Sequence, residues 1–330
     1  MSQALVLAVA SLAHVGCINT NAANSESAVP PKLQVGQEFP VTTGQLPREG
    51  FFDGVTLAAS SIDKVASQVQ AGGVLIVSEQ HGNQKHYAHQ KLALQALAKS
   101  GRCAVSVGLE FLAWNHQDAI TKYFSGALSE ADFLRSTEWG SNPWVDYKDQ
   151  ALFPKSTGGS LVGVNAVRSL TGAISKKGLA NLAPEETALM PPNFELGTAA
   201  YRERFDIVMG GHVPPDAVDR YFAAQSTWDD TMAWQAAEFL KMNPSHCLAI
   251  IVGDFHAAWG GGLPQRLRAR GVSSVTVISQ VETRDLSEVE LSAELGPHPN
   301  YGSRSDAIWL SLAPPDEPPT SPLRTLNFFQ

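Results

Sequence analysis

Residues 74–81 read VLIVSEQH, a short apolar run that passes directly into a glutamate and a histidine. Residues 248–256, LAIIVGDFH, repeat this arrangement and again end in a histidine. Short runs of branched aliphatic residues are typical of strands that are buried on both faces, as in a parallel sheet. Because the carboxyl ends of parallel strands lie at one edge, we expect His81 and His256 to meet at a ligand-binding rim.

Strand and helix patterns alternate along most of the chain. Further apolar runs predict strands at Cys103–Leu109, Ser160–Val164 and Val275–Ser279. The stretches with helical periodicity are Gln84–Ser100, Asn115–Ser125, Val167–Lys177, Pro214–Lys241 and Leu263–Arg270. This alternation predicts an α/β fold, a mainly parallel β-sheet with flanking helices in three layers. Residues 114–149 and 176–239 hold more helix than a crossover needs, and they predict a smaller helical lobe over the C-terminal strand ends.

The overall composition is that of a globular protein without a nucleic-acid groove. Of its 330 residues, 44% are hydrophobic and 17% are charged, and the formal net charge is −8. Lys and Arg are scattered along the chain, whereas a nucleic-acid groove needs clustered basic residues to neutralise phosphates. We therefore expect no nucleic acid among the partners.

The N-terminus resembles the signal of an exported lipoprotein. The apolar run Ala4–Ala13 has the length of a signal-peptide core and leads into Val15-Gly16-Cys17, which is similar to a lipobox. His14 stands where Leu is usual, and no Lys or Arg precedes Lys32. The alternatives are an ordinary cleaved signal, cut near residues 21–23, and a disordered tail. We expect lipidation of Cys17, a membrane anchor and a place in the cell envelope, periplasmic or at the outer membrane.

These patterns divide the chain into four parts. Residues 1–17 form the signal peptide and lipobox, and the polar residues 18–50 form a linker and N-terminal extension. Residues 51–312 form one α/β domain, and the Pro-rich residues 313–330 form a tail.

Polar side chains follow four of the predicted strands. The expected rim residues are Glu79, His81, Glu110, Asn165, Asp254 and His256. Two histidines with two carboxylates, Glu79, His81, Glu110 and His256, are suitable ligands for Mn, Fe, Co or Zn. In the alternative interpretation each residue has a separate structural task, for example an ion pair between Glu110 and Arg168.

The same residues resemble the motifs of the ChaN-like haem-binding uptake family of the Tiki superfamily. The similarity extends over Leu57–Val281. Its motifs, in order, are Val74–Asn83 with His86, His89 and Gln90, then Gly108–Phe111, Trp144 with Tyr147, Val164–Arg168, Trp228–Ala233, and Gly253–His256 with Gly260, Gly262 and Pro264. This chain departs from the family pattern at Ser78, Gly82 and Val167, and in the pair Asp254-Phe255.

The resemblance implies a haem-binding protein of haem or iron uptake. Haem needs an apolar slot, an axial ligand and polar partners for its propionates. Trp144, Tyr147, Arg168 and His212 are the candidate haem-binding residues. The helical lobe could also support a homodimer around the flat ligand.

Two other functions remain open. The wider superfamily implies a divalent-metal-dependent hydrolase of peptidase or esterase type, in which Glu79 or Glu110 would be the catalytic base. A binding lipoprotein for another small ligand, with rim residues that only shape a pocket, is the third possibility.

Cys103 and Cys247 each open a predicted strand at the N-terminal edge of the sheet. Oxidation to a disulfide is possible in an exported protein if the two strands are neighbours, whereas buried free thiols are the commoner case.

Overall fold

The computed structural model describes residues 46–209 and 213–312, which build a seven-stranded sheet. The strands are β1 (Gly50–Asp53), β2 (Val74–Glu79), β3 (Ala104–Leu109), β4 (Leu161–Val162), β5 (His246–Gly253), β6 (Val275–Glu282) and β7 (Ala307–Ser311). Their order is β1-β7-β6-β2-β5-β3-β4. Only β1 runs antiparallel, against β7, and every other pair is parallel.

Twelve α-helices flank this sheet in the described part of the chain. They are α1 (Ile62–Ala66), α2 (Gln84–Lys99), α3 (Gln117–Phe124), α4 (Glu130–Ser136), α5 (Trp144–Leu152), α6 (Arg168–Lys177), α7 (Pro184–Thr187), α8 (Ala199–Met209), α9 (Val218–Met242), α10 (Asp254–Ala257), α11 (Leu263–Ala269) and α12 (Glu288–Leu295). None of these helices combines the length and the apolar character that a membrane crossing requires.

The predicted fold class is confirmed, and two strands were missing from the prediction. The five strands and five helices expected from the sequence are present, with ends that differ by a few residues. The missing strands, β1 and β7, pair with each other at one edge of the sheet. Strand β1 has only four residues, three of them half-buried, and such a short half-buried segment has too few alternating positions to show a strand pattern.

The core lies in two layers because successive residues of a strand point to opposite faces of the sheet. On one face, Leu75 and Val77 of β2 pack in a cluster with residues of α2 and α5. On the other face, Val74 and Ile76 pack in a cluster with residues of α9 and α11. All four β2 side chains are buried, which is why this strand is apolar at consecutive positions.

Strands β2 and β5 lie side by side in the middle of the sheet, and this places both histidine segments at one rim. In their register Glu79 is opposite Gly253, so the residues after each strand leave the sheet together. Strand β3 flanks β5 on the other side, and the backbone N–H of Glu110 donates to the carbonyl of Ile251 at 3.0 Å. The carboxyl ends of three neighbouring strands therefore converge, as the sequence predicted.

A disulfide joins Cys103 and Cys247 at the amino-terminal ends of β3 and β5, away from the rim. Their Cα atoms are 5.6 Å apart, within the range that a disulfide spans. The bond is possible because β3 and β5 are direct neighbours. The commoner expectation of two free thiols is wrong for this pair.

Candidate functional site

The first half of the site is built on the loop that follows β2. Glu79, the last residue of that strand, is buried, and its Oε1 lies 2.7 Å from Nδ1 of His81. The Tyr147 hydroxyl donates to the same oxygen at 2.5 Å, and the Gln90 side chain donates to the other oxygen. Gly82 has a φ of +87°, a conformation that favours glycine, and it turns the chain from His81 toward α2.

The second half of the site is built on α10, which follows β5 immediately. Nδ1 of His256 lies 2.6 Å from Oδ1 of Asp229, a buried residue of α9. The Tyr201 hydroxyl, from α8, donates to the other oxygen of Asp229 at 2.7 Å. Residues of α8 and α9 therefore fix the position of His256, which follows the end of β5.

Glu110 lies between the two histidines. Its Oε2 is 3.8 Å from Nε2 of His81, and its Oε1 is 3.5 Å from Nε2 of His256. The backbone N–H of Gly253 donates to Oε2 at 2.5 Å, and the Asn165 side chain donates to the backbone carbonyl of Glu110. Carboxylates and imidazoles thus alternate in one row, in the order Glu79, His81, Glu110, His256 and Asp229.

The charges of this row control its protonation. Burial alone would raise the pKa of Glu110, but the charges of His256 and His81 outweigh it and lower the pKa to about 2. Burial alone would lower the pKa of His256, but Asp229 and Glu110 raise it to about 10. The pKa of His81 is also raised, because Glu110 and Glu79 outweigh its burial. Near neutral pH the row therefore holds an imidazolium at His256 and an ionised Glu110, and the shift at His81 also favours its protonated form.

This arrangement does not support the predicted metal site. In residues 46–209 and 213–312, no group of three His, Cys, Asp or Glu side chains is placed to hold a metal ion. A ligating histidine must be neutral, whereas the carboxylates beside His81 and His256 raise the pKa of both and favour their protonated forms. The oxygens of Glu79 already accept hydrogen bonds from Tyr147 and Gln90 and face His81.

A small recess opens beside His81 and Glu110. Its lining residues are His81, Glu110, Phe111, Ala113, His116, Thr137, Asn142, Asn165, Ala166, Arg168 and Trp228. Its volume of about 40 Å³ holds a few water molecules, since one water needs about 10–15 Å³ by this measure. The recess is too small to enclose a porphyrin, so a larger ligand would have to lie across its mouth.

Arg168, the first residue of α6, lines this recess. Within the described part of the chain its guanidinium donates no hydrogen bond and forms no ion pair. Burial lowers its pKa, although the charge of Glu138 opposes the shift. The alternative ion pair between Glu110 and Arg168 is absent from the described contacts, because Glu110 faces the two histidines.

The other predicted haem-binding residues have different positions. Trp144 and Tyr147, both in α5, are buried, and Tyr147 is 0% exposed. Its hydroxyl is occupied by Glu79 and by Tyr87, 3.1 Å away, so it lies behind His81 and not at the recess. His212 and Cys17 fall outside the described residues.

Sequence reasoning missed three residues of the site. Asp229 was noted only as part of a motif, and Tyr201 gave no signal because its contact depends on how α8 packs. His116, which lines the recess, lies six residues after Glu110, past the end of β3. Its place after a strand end was a usable signal.

Comparison with known proteins defines the class of this chain. The profile described as "Haem-binding uptake, Tiki superfamily, ChaN" matches residues 65–267, which is more than half of the chain. The chain therefore belongs to this haem-binding uptake family, and the predicted resemblance is confirmed. No curated protein matches the sequence.

Three solved structures are similar to the chain. "Cofacial heme binding to ChaN of Campylobacter jejuni" shares 19% identity and a TM-score of 0.58 over 79% of this chain and 95% of that chain. The type III effector HopBA1 shares 14% identity and a TM-score of 0.37 over 74% and 90% of the two chains. A mutant of the erythromycin esterase EreC shares 12% identity and a TM-score of 0.41 over 67% and 72%. The first of these similarities supports the fold.

Proposed function

We propose that this protein is an exported haem-binding protein that acts in haem or iron uptake. The observation that carries the proposal is the Arg168 guanidinium, which makes no hydrogen bond within the described residues, at a recess that Phe111 and Trp228 also line. A guanidinium suits a propionate, and aromatic side chains suit the face of a porphyrin. Family membership supports haem as the ligand.

The residues at the recess fit haem as a ligand that lies across the mouth. Arg168 would hold a propionate, while Phe111 and Trp228 would contact the ring. Haem would supply an iron that takes an axial ligand from the protein. Tyr147, one of the candidate haem-binding residues, would have to leave Glu79 and become exposed before it could serve as that ligand.

A haem titration of the purified protein tests this proposal. We expect a Soret shift on binding, and we expect Arg168→Gln to weaken binding by roughly 10- to 150-fold, since a hydrogen bond between charged groups contributes about 1.5–3 kcal/mol. Arg135→Gln is the matched control, because Arg135 is 73% exposed on α4 and pairs only locally with Asp132. Absence of a Soret shift in the wild-type protein would refute the haem proposal.

We also propose a homodimer around the ligand. A haem across a shallow recess keeps one face open to solvent, and a second copy of the chain would cover it. The similar structure from Campylobacter jejuni is titled with cofacial haem binding, and two haems that lie face to face between two copies of the chain would fit this proposal. Sedimentation velocity with and without haem is the test, and a monomer in both conditions would count against the dimer.

Export and a lipid anchor at Cys17 belong to the same proposal. The Cys103–Cys247 disulfide supports export, because thiols in the cytosol are kept reduced. Labelling with a fatty-acid analogue should mark the wild-type protein and spare Cys17→Ala. Equal labelling of both would exclude the anchor. A thiol assay of unfolded, unreduced protein separately tests the disulfide, and free Cys103 and Cys247 would remove its support for export.

The metal-dependent hydrolase stays an alternative prediction. One observation favours it: each histidine has its Nδ1 against a carboxylate, so both Nε2 atoms face Glu110. Metal analysis of the purified protein decides the question, since a hydrolase of this kind would rebind one divalent ion. If no ion rebinds and the variant Glu110→Gln changes only haem affinity, the hydrolase is excluded.

A further inference from the structure

His116 presents an uncommitted imidazole at the recess. The residue is partly exposed and lines the recess together with Phe111, Arg168 and Trp228. Its Nδ1 is buried without a hydrogen-bond partner, and Nε2, the nitrogen that could reach a ligand, makes no hydrogen bond or ion pair within the described part of the chain. Coordination of a metal by this ring would therefore break no existing contact.

The backbone around His116 is fixed to the rim of the site. Its own N–H donates to the carbonyl of Ala113 at 3.1 Å, and the N–H of Trp114 donates to the carbonyl of Asn165 at 3.0 Å. Asn165 in turn donates to the backbone carbonyl of Glu110. The loop between β3 and α3 is thus connected by hydrogen bonds to the row of carboxylates and imidazoles, and this fixes the backbone that carries the His116 ring before any ligand binds.

The other possible iron ligands near the recess are occupied. His81 also lines it, but its Nδ1 is bound to Glu79 and its Nε2 faces Glu110. Tyr147 is buried with its hydroxyl on Glu79. His256 is buried against Asp229 and does not line the recess. Among the described recess residues, His116 is the imidazole that makes no hydrogen bond or ion pair.

We propose that His116 is the axial ligand of the haem iron. This inference rests on the proposed haem-binding function and names the residue that the ligand requires. A neutral imidazole nitrogen is a common axial donor to haem iron. Arg168 lines the same recess, so one bound haem would have an iron ligand and a propionate partner on one surface.

Absorption and resonance Raman spectra of the haem complex test this proposal. In wild-type protein we expect the iron–histidine stretching signature of the ferrous five-coordinate state. His116→Ala and the milder His116→Gln should lose that signature, and added imidazole should restore it in His116→Gly. Circular dichroism of each variant checks that the fold is retained, so a loss of the signature in a folded variant supports the proposal.

Two comparison variants make the outcome specific. His246→Ala should keep the signature, because His246 opens β5 at the opposite edge of the sheet and bonds to Ser106. Tyr147→Phe should also keep it. If the wild type binds haem and His116→Ala keeps the wild-type spectrum, the ligand assignment is wrong and the haem-binding function stands. If the wild type gives no Soret shift at all, both are refuted.

Discussion

His81 and His256 occupy equivalent places on either side of Glu110, yet one is near solvent and the other is not. Each histidine has its Nδ1 against a buried carboxylate, and each carboxylate accepts a tyrosine hydroxyl. The side chain of His81 is 14% exposed and lines the recess, whereas that of His256 is 5% exposed and does not. The same histidine–carboxylate–tyrosine arrangement therefore lies at the recess around His81 and in the protein interior around His256.

This difference indicates which histidine can lose its carboxylate partner at the smaller cost in stability. Loss of the carboxylate beside His81 leaves an imidazole that water can reach. Loss of the carboxylate beside His256 leaves a buried charge with weaker partners, which is costly. Substitutions beside His256 should therefore lower the free energy of unfolding most. Substitutions beside His81 should mainly change ligand binding at the recess.

The largest expected effect comes from the Asp229→Ala substitution. Removal of one partner of a buried ion pair costs about 3–5 kcal/mol, and it would leave the His256 charge and the Tyr201 hydroxyl without their main acceptor. We expect Glu79→Ala to cost roughly half of that, because water can solvate His81. Urea unfolding of both variants measures the difference.

Asp229→Asn is the matched control for this comparison. It keeps the shape of the side chain and one acceptor oxygen, so it should cost less than Asp229→Ala. If Glu79→Ala destabilises the fold as much as Asp229→Ala, the assignment of His256 to the structural half is wrong.

The pH dependence of stability gives a second, smaller effect. The pKa of His256 is raised to about 10 from an ordinary value near 6.5. Its contribution is therefore complete below about pH 6.5 and is lost as the pH rises toward 10. Glu110 has its pKa lowered to about 2, so its contribution is complete above about pH 4.5 and is lost as the pH falls toward 2.

Unfolding curves between pH 6 and pH 10 check this prediction. The wild type should lose stability on the alkaline side, and Asp229→Asn should lose less because the main partner that raises the His256 pKa is gone. Equal alkaline losses in the two proteins would show that His256 does not titrate in this range.

The two tyrosines provide a third test of the same difference. Tyr201→Phe removes the donor to one oxygen of Asp229, and we expect a loss of about 2–3 kcal/mol. Tyr147→Phe should cost less, about 1–2 kcal/mol, because Glu79 keeps its bonds to Gln90 and His81. Thermal unfolding ranks them, and the reverse order would contradict the proposed division of roles.

Much of the fold could be predicted because most strands and helices have a recognisable pattern of apolar residues in the local sequence. Strand β2 is apolar at consecutive positions, and that pattern follows directly from burial on both faces. Strand β1 could not be found in the same way, because four residues, three of them half-buried, show no clear alternation, and its pairing with β7 joins the two ends of the described chain. Strand β7 carries a usable local signal, the apolar run Ala307–Leu310, which lies close to the Pro-rich tail.

The site likewise contains contacts that are local in the sequence and contacts that are not. Glu79 and His81 are two residues apart, so their pairing was accessible to sequence reasoning. The acceptor of His256, Asp229, lies on another helix, and Tyr201 comes from a third. Their meeting depends on how the second helical insertion packs against the sheet, which spacing along the chain does not reveal.

The smallest expected effect concerns the bond that connects the two halves of the site. The Ser78 hydroxyl, just before Glu79, donates to Oδ1 of Asp254 at 2.6 Å, and Asp254 lies two residues before His256. The family resemblance implies other residues at both positions, and in the structure Ser78 and Asp254 are hydrogen-bond partners. Asp254 also accepts a bond from the buried Arg304, so it keeps a charged partner when Ser78 is changed.

The Ser78 hydroxyl also accepts a long hydrogen bond, 3.2 Å, from the backbone N–H of Gln280. We therefore expect Ser78→Gly, which places at this position the glycine that the family resemblance implies, to cost about 1 kcal/mol for the lost hydroxyl plus a few tenths for the added backbone freedom. Ser78→Ala separates the two contributions, since it removes only the hydroxyl. A double-mutant cycle with Asp254→Asn measures the coupling, and a value near zero would mean that the halves are held together by the sheet alone. A coupling near 1 kcal/mol would instead show that the second departure compensates for the first.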